Sequence, residues 1–301
     1  MRLLREKRNV LSEEDGTYLF PKSPPAPCRI VAMIPTYNER ENIFRLIPAI
    51  LGLEEEIHIL IVDDNSPDGT ADVVKEFIEK SERVHLVLRT KKRGRGSAGV
   101  AGFRRALDLG AEIVIEMDAD FSHPVRYLPV LIEALEDVDV VLASRLVRGG
   151  GEVNRSLKRI LITKGANLLT RTVMGYPVHD CTAGYRVFRR RVLEAIELET
   201  LSAEGPAIVG EVLYRVVRGG FRLREVPYIY EDRQFGRSTL TTSTLLNCLW
   251  WLLKLKARQM MRDAAAFRKA RDFYSSHPPE PASDPWRPKK TGKYENNAKD
   301  L

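Results

Sequence analysis

Residues 112–124, EIVIEMDADFSHP, join an apolar run to two carboxylates, Asp118 and Asp120, that are separated by a single residue. Because side chains alternate along an extended chain, these two carboxylates point to the same side. Carboxylates that face one point repel each other, and such a pair persists when a cation or a polar ligand lies between them. The spacing therefore indicates a binding site at the end of this run.

The acidic pair follows the last of four short β-branched runs that alternate with helical patterns. Strand and helix in alternation with short links predict a mostly parallel, Rossmann-like α/β sheet with helices on both faces. We expect Asn38 to cap the first helix and Thr70 to cap the second. The predicted strands are residues 29–35, 57–64, 84–89 and 112–118.

Polar residues gather where three of these predicted strands end. In open α/β sheets, ligands bind beyond the carboxyl ends of the strands. A rim of carboxylates at that edge suits a divalent cation together with the hydroxyl groups of a sugar or ribose. The residues are Thr36, Tyr37, Asn38 and Glu39 after the first strand, Asp63 and Asp64 at the second, and Asp118 and Asp120 at the fourth.

The segment GRGSAG, residues 94–99, supports a competing interpretation because it fits the GxGxxG pattern of dinucleotide-binding proteins. However, the residues TKKR separate the preceding strand from Gly94. The glycines therefore do not form the immediate strand-to-helix turn that brings a pyrophosphate to a helix N-terminus. A lone match of this kind is weak evidence for a dehydrogenase.

The block MDADFSHP resembles the DxD motif of metal-dependent, nucleotide-sugar glycosyltransferases. Five further blocks resemble, in order, those of family 2 transferases of the dolichol-phosphate mannose synthase type: IPTYNERENI, LIVDDNSPDGTADVV, RGSAGVAGFRRAL, DCTAGYRVFRR and VPYIYEDRQFGRSTL. The similarity covers roughly residues 29–242, and ordered blocks are specific where one alone is weak. The resemblance implies a GT-A fold, GDP-mannose as donor, Mg²⁺ or Mn²⁺ as cofactor, and transfer with inversion to dolichyl or another polyprenyl phosphate.

The resemblance also implies which residues bind the donor. It places Asp120 on the metal ion with Asp118 beside it, and Ser122 is a weaker ligand because a neutral hydroxyl binds metal less firmly than a carboxylate. It makes Asp64 a nucleoside-binding residue. The other residues expected at the donor are Pro35, Tyr37 and Glu39 around the base and ribose, Arg89 and Lys92 at the diphosphate, and Ala119 and Arg233.

A basic run with three glycines, residues 144–165, follows the acidic pair. A solvated basic face is the usual meaning of such a run. Its position favours phosphate binding, since arginine is well suited to holding phosphate oxygens, and we expect Arg145 and Arg159 to bind the acceptor phosphate. The resemblance adds Asp180 near the sugar or acceptor and Ser238 at the phosphate. Family members commonly carry lysine after this serine; here Thr239 stands there, and Arg237 is expected to supply the charge.

Two alternatives to mannosyl transfer stay open. A UDP-glucose-dependent polyprenyl-phosphate glucosyltransferase belongs to the same superfamily, and the sequence does not display what distinguishes guanine from uracil. A non-catalytic nucleotide-binding protein belongs to a different class, and the retained DxD carboxylates argue against it. A net charge of +7 and a pI of about 9.3 are compatible with several anionic partners, but no basic platform interleaved with aromatic residues predicts nucleic-acid binding.

The three cysteines, Cys28, Cys181 and Cys248, lie far apart and form no CxxC pair. Their spacing predicts neither a disulfide framework nor a structural zinc site. His179 lies next to Cys181, and we expect it to be a structural histidine because two residues cannot close a metal site.

The expected organisation is one catalytic domain with flanking segments. Residues 1–27 are predicted to be an extension and linker, residues 28–242 a GT-A domain, and residues 275–301 a disordered tail. Residues 243–262 contain an apolar run that is too short to span a bilayer and ends in basic residues, so they predict an amphipathic helix at the membrane interface. Residues 1–16 lack the apolar region of a signal peptide, so we expect a cytoplasmic protein, peripheral on the cytosolic membrane face and attached to the lipid surface or to an anchoring subunit.

Overall fold

The computed structural model describes residues 16–21, 28–91, 94–203, 205–231, 250–251, 253–258 and 260–261. At its centre is an eight-stranded sheet with the strand order β1-β4-β3-β2-β5-β8-β6-β9, and β10 and β7 form a second, two-stranded sheet. The strands are β1 Thr17–Phe20, β2 Ile30–Thr36, β3 Ile57–Asp63, β4 Val84–Arg89, β5 Ile113–Glu116, β6 Val140–Ser144, β7 Gly151–Val153, β8 Arg186–Arg189, β9 Leu223–Pro227 and β10 Ile229–Glu231.

The four strands predicted from the sequence form the parallel centre of the sheet, in the order β4-β3-β2-β5. They are buried on both faces, because successive residues of one strand enter different hydrophobic clusters. In β2, Val31 and Met33 belong to one cluster, while Ala32 and Ile34 belong to the other. This explains why these segments read as continuous apolar runs rather than as alternating ones.

Helices cover both faces, as the alternation of strand and helix predicted. The cluster on one face draws on α3, α6 and α7, and the cluster on the other face draws on α1, α2 and α4. Gly102 lets α3 approach the sheet closely, since a Cβ there would lie 2.5 Å from Cγ of Met33. The helices are α1 Arg40–Leu51, α2 Thr70–Lys80, α3 Arg95–Asp108, α4 Leu128–Glu133, α5 Leu157–Met174, α6 Arg190–Ala195 and α7 Ala207–Arg218.

Part of the expected N-terminal extension belongs to the sheet. Thr17–Phe20 pairs antiparallel with β4, from Thr17 opposite Arg89 to Phe20 opposite Leu86. The sequence prediction missed this strand because only four residues take part and a proline-rich segment separates them from the domain. The rest of residues 1–27, apart from Gly16 and Pro21, lies outside the described residues.

The predicted helix caps are also different in the structure. Glu39, not Asn38, precedes the first residue of α1, and Asn38 adopts a left-handed conformation with φ 60°. Thr70 is the first residue of α2 rather than its cap. Its backbone N–H and its hydroxyl both donate to the Asp68 carboxylate, at 2.9 and 2.6 Å, so Asp68 takes the acceptor role that Thr70 was expected to have.

The chain divides into two compact units, Met1–Leu255 and Lys256–Leu301. The described residues between 250 and 261 are helical, and the amphipathic helix at a membrane interface expected for residues 243–262 stays a prediction. In the part of the chain that the structure describes, no helix is long and apolar enough to cross a membrane. The expected tail, residues 275–301, lies outside that part.

Candidate active site

The two carboxylates of the DxD motif lie directly after β5, at the carboxyl edge of the parallel strands. Oδ1 of Asp120 accepts hydrogen bonds from the backbone N–H and the hydroxyl of Ser122, at 3.1 and 2.6 Å. Between them, Phe121 has φ 61°, a left-handed conformation that a bulky side chain rarely adopts. The turn therefore holds Asp120 in place at the cost of backbone strain.

Asp118 is more open, with a third of its side chain exposed, and it pairs with Arg95 from the first turn of α3. The Arg95 Nη1 donates to Oδ1 of Asp118 at 2.6 Å, and Nη2 lies 3.7 Å from the Glu116 carboxylate. Burial alone would lower the pKa of Arg95, but the charges of Asp118 and Glu116 outweigh it, and the pKa of the guanidinium is raised. Burial raises the pKa of Glu116, which lies within β5.

His123 connects the DxD turn to the middle of the protein. Its Nδ1 accepts a hydrogen bond from the backbone N–H of Asp118 at 2.9 Å, so the ring proton lies on Nε2. The ring stacks on Tyr185 with centroids 4.8 Å apart, and Tyr228 meets it edge-on. Burial lowers the pKa of His123, which favours the neutral ring that this hydrogen bond requires.

Asp64, at the end of β3, is held between β4 and the start of α3. Its Oδ1 lies 2.9 Å from Nη1 of Arg89, and its Oδ2 accepts the backbone N–H of Gly94 at 2.6 Å. The Arg89 side chain is 3% exposed, and its Nη2 donates to the Ser97 hydroxyl. Burial lowers the pKa of Arg89 although Asp64 opposes this shift. Arg89 therefore holds Asp64 and the α3 N-terminus.

The remaining polar residues after β2 and β3 fix the loops of this edge. The buried Asp63 accepts hydrogen bonds from the Thr36 hydroxyl and from the backbone N–H and hydroxyl of Ser66. Glu39 accepts a 2.6 Å hydrogen bond from the side-chain amide of Asn42. Tyr37 is half exposed and Pro35 is partly buried, so both lie at the surface beside Asp64.

Another ion pair joins Arg145, just after β6, to Asp180. The guanidinium donates through Nε and Nη2 to the two carboxylate oxygens, each at 2.7 Å, and the backbone N–H of Arg145 donates to Oδ2. The Asp180 side chain is completely buried, whereas that of Arg145 is 9% exposed. Burial alone would raise the pKa of Asp180, but Arg145 outweighs it and the pKa is lowered; the pKa of Arg145 is raised by the same pair.

The loops around this pair are tied down in turn. Glu225 accepts the backbone N–H groups of His179 and Asp180 and the His179 ring, which bears out the expectation of a structural histidine. Glu152 of β7 lies 3.7 Å from Arg145 and 2.7 Å from Arg155, which connects the small sheet to the same cluster.

The two clusters are neighbours. His123 lies within electrostatic reach of Asp118, Asp120, Arg95 and Arg145. A Cβ on Gly184 would lie 3.2 Å from Nη2 of Arg95 and 3.6 Å from the His123 ring, so the segment that carries Asp180 packs against the DxD turn. Most of the predicted site residues therefore share one edge of the sheet.

Arg159, the other expected phosphate ligand, is exposed in the first turn of α5. Four of the expected residues, Lys92, Arg233, Arg237 and Ser238, lie outside the described part of the chain. Sequence reasoning missed the contributions of His123 and Glu116 and gave Arg95 no role. A histidine five positions after Asp118 and a glutamate within an apolar strand were the available signals.

The model of the family described as glycosyl transferase family 2 matches residues 31–197, which is more than half of the chain. The chain belongs to glycosyl transferase family 2. The family match begins in β2 and ends after α6, so it includes the DxD turn, the ion pairs described above and the parallel centre of the sheet. The protein is therefore a glycosyltransferase.

Three curated relatives resemble the chain over most of their own length. Polyprenol monophosphomannose synthase of Mycolicibacterium smegmatis is 38% identical over 74% of this chain and 84% of its own. Undecaprenyl-phosphate mannosyltransferase of Micrococcus luteus is 38% identical over 71% and 88%. Dolichol-phosphate mannosyltransferase of Pyrococcus furiosus is 34% identical over 75% of this chain and 63% of its own.

Solved structures of another enzyme share the fold of this chain. Glucosyl-3-phosphoglycerate synthase of Mycobacterium tuberculosis, in complex with Mn²⁺, UDP-glucose and phosphoglyceric acid, is 18% identical, with a TM-score of 0.58 over 76% of this chain and 80% of the other. The same synthase with Mg²⁺ and UDP gives a TM-score of 0.52 at 18% identity over 70% and 72%. This chain therefore has the GT-A fold that we predicted from its sequence.

Proposed function

We propose that the protein transfers mannose from GDP-mannose to dolichyl or another polyprenyl phosphate, with inversion at the anomeric carbon. The observation that carries this proposal is the similarity to two enzymes that are named for mannosyl transfer to polyprenyl or undecaprenyl phosphate. Both are 38% identical to the chain, over 84% and 88% of their own lengths. The DxD turn lies at the same edge of the sheet as the basic segment after β6 that contains Arg145, and this arrangement agrees with that chemistry.

The residues at the DxD turn fit a divalent cation. Carboxylate oxygens after one strand form the hard donor set that Mg²⁺ and Mn²⁺ prefer, and the Ser122 hydroxyl lies beside Asp120. Asp118 and Asp120 would hold the ion, with Ser122 as the weaker ligand. When bound, the ion neutralises charge on the diphosphate leaving group.

The nucleoside end of the donor is assigned to the surface formed by Pro35, Tyr37, Glu39 and Asp64. Asp64 is the central residue, because its carboxylate is held by Arg89 and by the backbone of Gly94. Arg89 then acts through Asp64 rather than by a diphosphate contact of its own, since its side chain is buried. Ala119 lies between the two DxD carboxylates in sequence, and its side chain is buried in the hydrophobic cluster that α1, α2 and α4 cover, so any contact with the donor would come from its backbone.

The acceptor phosphate is assigned to the basic segment after β6. Arg159 is exposed and so can meet a phosphate directly, while Arg145 is held by Asp180 with little exposure. A phosphate monoester is already ionised near neutral pH, so the reaction needs no strong general base. The chain's contribution is to position the acceptor phosphate opposite the leaving group and to balance its charge, which gives inversion.

Exposed apolar side chains on α5 support association with a membrane surface. Leu157, Leu161 and Leu168 are 78%, 69% and 67% exposed and lie on one side of the helix, because their spacings of four and seven residues match whole turns. Lys158, Arg159 and Lys164 belong to the same helix. An apolar face with basic neighbours is typical of helices that lie in the headgroup region. The mode of attachment would be peripheral.

A transfer assay tests the reaction. The purified protein is incubated with a polyprenyl phosphate and either radiolabelled GDP-mannose or UDP-glucose, with Mg²⁺ or Mn²⁺ and then with EDTA. We expect labelled lipid from GDP-mannose alone, no product after EDTA, and an anomer opposite to that of the donor. Labelled lipid from UDP-glucose alone would contradict mannosyl transfer and would identify the protein as a glucosyltransferase.

Failure with both donors would lead to equilibrium binding of GDP and UDP by calorimetry. Tight nucleotide binding without turnover would support the non-catalytic alternative. A product that retains the donor's anomeric configuration would contradict direct attack by the acceptor phosphate.

Sedimentation with lipid vesicles tests the membrane contact. We expect binding to vesicles that contain anionic lipid and weaker binding after Leu161→Glu. Phe44→Glu is the matched control, because Phe44 is 58% exposed but lies on α1. Equal loss in both variants would contradict a specific contact through α5.

A further inference from the structure

The opposite edge of the sheet, where β2, β3 and β4 begin, brings together three residues that have no part in the proposed reaction. Cys28 precedes β2, and His58 and His85 are the second residues of β3 and β4. The parallel register places His58 beside Val31 and His85 beside Leu60. All three side chains therefore share the face that α3 covers.

The potential ligand atoms converge on one point. Nε2 of His85 lies 3.1 Å from Nδ1 of His58 and 3.6 Å from Sγ of Cys28, and all three atoms lie within 4.8 Å of one another. A tetrahedral zinc ion with its usual bond lengths separates two nitrogen ligands by about 3.3 Å and a sulfur from a nitrogen by about 3.6 Å. Two of the three separations already match these values.

Hydrogen bonds alone leave this cluster incompletely satisfied. Nε2 of His85 carries either one hydrogen or one lone pair, so it cannot fully serve both Cys28 and His58. A cation between the three atoms would contact all of them at once.

The surroundings suit an ion that prefers nitrogen and sulfur. Cys28 and His85 are fully buried and His58 is partly exposed, and the group as a whole is buried. Burial raises the pKa of the Cys28 thiol although Arg105 of α3 opposes this shift, and burial lowers the pKa of both histidines, so the rings are neutral and a bound metal ion would displace the thiol proton. One thiolate and two imidazoles form a ligand set that zinc accepts.

We propose that Cys28, His58 and His85 bind a zinc ion that fastens the starts of β2, β3 and β4 beneath α3, with water as the fourth ligand. The sequence predicted no zinc site because the cysteines form no pair and the three ligands lie far apart along the chain. His58 precedes His85 by 27 positions, and Cys28 precedes it by 57. Only the parallel pairing of three consecutive strands brings them together. The site is independent of the proposed transfer reaction.

Metal titration of the full chain tests the proposal. The probes are Zn²⁺, measured by competition with a chromophoric chelator, and Co²⁺, measured by the thiolate-to-cobalt charge-transfer absorption that a cysteine ligand produces. All variants carry Asp120→Asn, so that the DxD turn contributes as little as possible to binding. We expect one zinc equivalent, the thiolate band, and a higher melting temperature with zinc than with EDTA.

Cys28→Ala should abolish the thiolate band and weaken zinc binding by more than about tenfold, since losing even a residue that only orients a metal ligand typically costs about ten- to a hundredfold. Cys181→Ala is the matched control, because Cys181 is also a buried free cysteine and its loss should leave the band unchanged. His58→Gln is the second test, since a partly exposed residue tolerates substitution better than the buried His85.

Melting temperatures in EDTA establish that each variant folds. A cobalt spectrum without the thiolate band, or equal zinc affinity in the Cys28→Ala and Cys181→Ala proteins, would overturn the proposal. An unchanged zinc affinity after His58→Gln would overturn the three-residue site.

Discussion

Two ion pairs of the candidate active site differ in how much of each pair is exposed to water. In the pair of Arg145 with Asp180, the side chains are 9% and 0% exposed, and both carboxylate oxygens accept from the guanidinium. In the pair of Arg95 with Asp118, the side chains are 25% and 34% exposed, and Nη1 of the guanidinium donates to Oδ1 of Asp118. The pair of Arg145 with Asp180 is shielded from solvent, whereas Asp118 is exposed enough to exchange Arg95 for another cation.

This difference separates two roles within one site. Breaking a buried pair leaves a charge without compensation, so the pair of Arg145 with Asp180 should govern the free energy of unfolding. A partly exposed pair contributes little to stability and is easily exchanged for another cation. The carboxylates of the DxD turn should therefore govern activity, whereas the pair of Arg145 with Asp180 should govern stability. Four substitutions test this division of roles.

Asp180→Asn should have the largest effect on folding. It leaves the buried Arg145 guanidinium with the neutral Thr182 hydroxyl and the more distant Glu152 carboxylate, so we expect the free energy of unfolding to fall by about 3–5 kcal/mol. Urea unfolding followed by circular dichroism measures this. Asp137→Asn is the control, since Asp137 pairs with Arg224 at the surface. A loss no larger than that of the control would remove the structural role of the pair.

A double-mutant cycle with Arg145→Gln sharpens this test. If the two residues act as a unit, the double variant should lose clearly less stability than the sum of the single variants. Simple additivity would mean that each residue acts through other contacts. The direct contact of Asp180 with sugar or acceptor stays a prediction, and the KM for each substrate in the Asp180→Asn protein would test it.

Asp120→Asn should have the largest effect on turnover with little effect on folding. The amide oxygen can still accept from Ser122, but the charge that holds a cation is lost. A bound metal is worth several kcal/mol to such a reaction, so we expect the transfer rate to fall by more than about a hundredfold. Asp72→Asn on the exposed side of α2 is the control. Full activity of Asp120→Asn would eliminate the metal-dependent mechanism.

Gly150→Ala should disturb the closed pair through the backbone. The new Cβ would overlap the carbonyl oxygen of Ser144 and lie 2.9 Å from the carbonyl carbon of Arg145, and backbone atoms cannot move aside cheaply. We expect a loss of about 1–3 kcal/mol, typical of overpacking. Gly165→Ala is the matched control, because nothing lies within 4 Å of its Cβ and alanine favours helix, so that variant should gain stability.

Chemical unfolding of the two glycine variants side by side measures the difference directly. The contrast is independent of any ligand, so it tests the packing around Arg145 by itself. Equal stability of the two variants would show that the loop after β6 can shift without cost.

Arg95→Met should have the smallest effect on stability and should change metal binding. Its pair with Asp118 is partly exposed, so we expect less than about 1 kcal/mol of destabilisation. Since Arg95 competes with a cation for Asp118, Mn²⁺ should bind more tightly, as electron paramagnetic resonance titration can measure. Arg104→Met, which breaks the comparable α3 pair with Glu199, should leave Mn²⁺ affinity unchanged. Weaker Mn²⁺ binding after Arg95→Met would reverse the assigned role.

The sequence predicted the parallel centre of the fold well because its signals are local. The four apolar runs, bounded by turn residues, correspond to β2, β3, β4 and β5 within a few residues. It could not predict β8, which enters the sheet antiparallel between β5 and β6, since that position depends on contacts between distant parts of the chain. Asn38 misled the cap prediction because its spacing fits a helix start while the backbone there turns left-handed.

The sequence indicated which residues lie at the candidate site but not which of them pair with each other. Strand ends and family blocks indicated Asp64, Asp118, Asp120 and Asp180. That Asp180 and Arg145 satisfy each other, or that Arg89 is buried against Asp64, follows only from packing between segments far apart in sequence. For the same reason, the three residues of the proposed zinc site gave no sign in the sequence.

The short strand β1 has a consequence for how much of the N-terminus the protein requires. Thr17–Phe20 lies along β4, which would otherwise form the edge of the sheet. An uncovered edge strand presents unpaired N–H and C=O groups on which another chain can add. A chain shortened to begin at Cys28, the domain start expected from the sequence, should therefore be prone to self-association, whereas one beginning before Gly16 should stay dispersed.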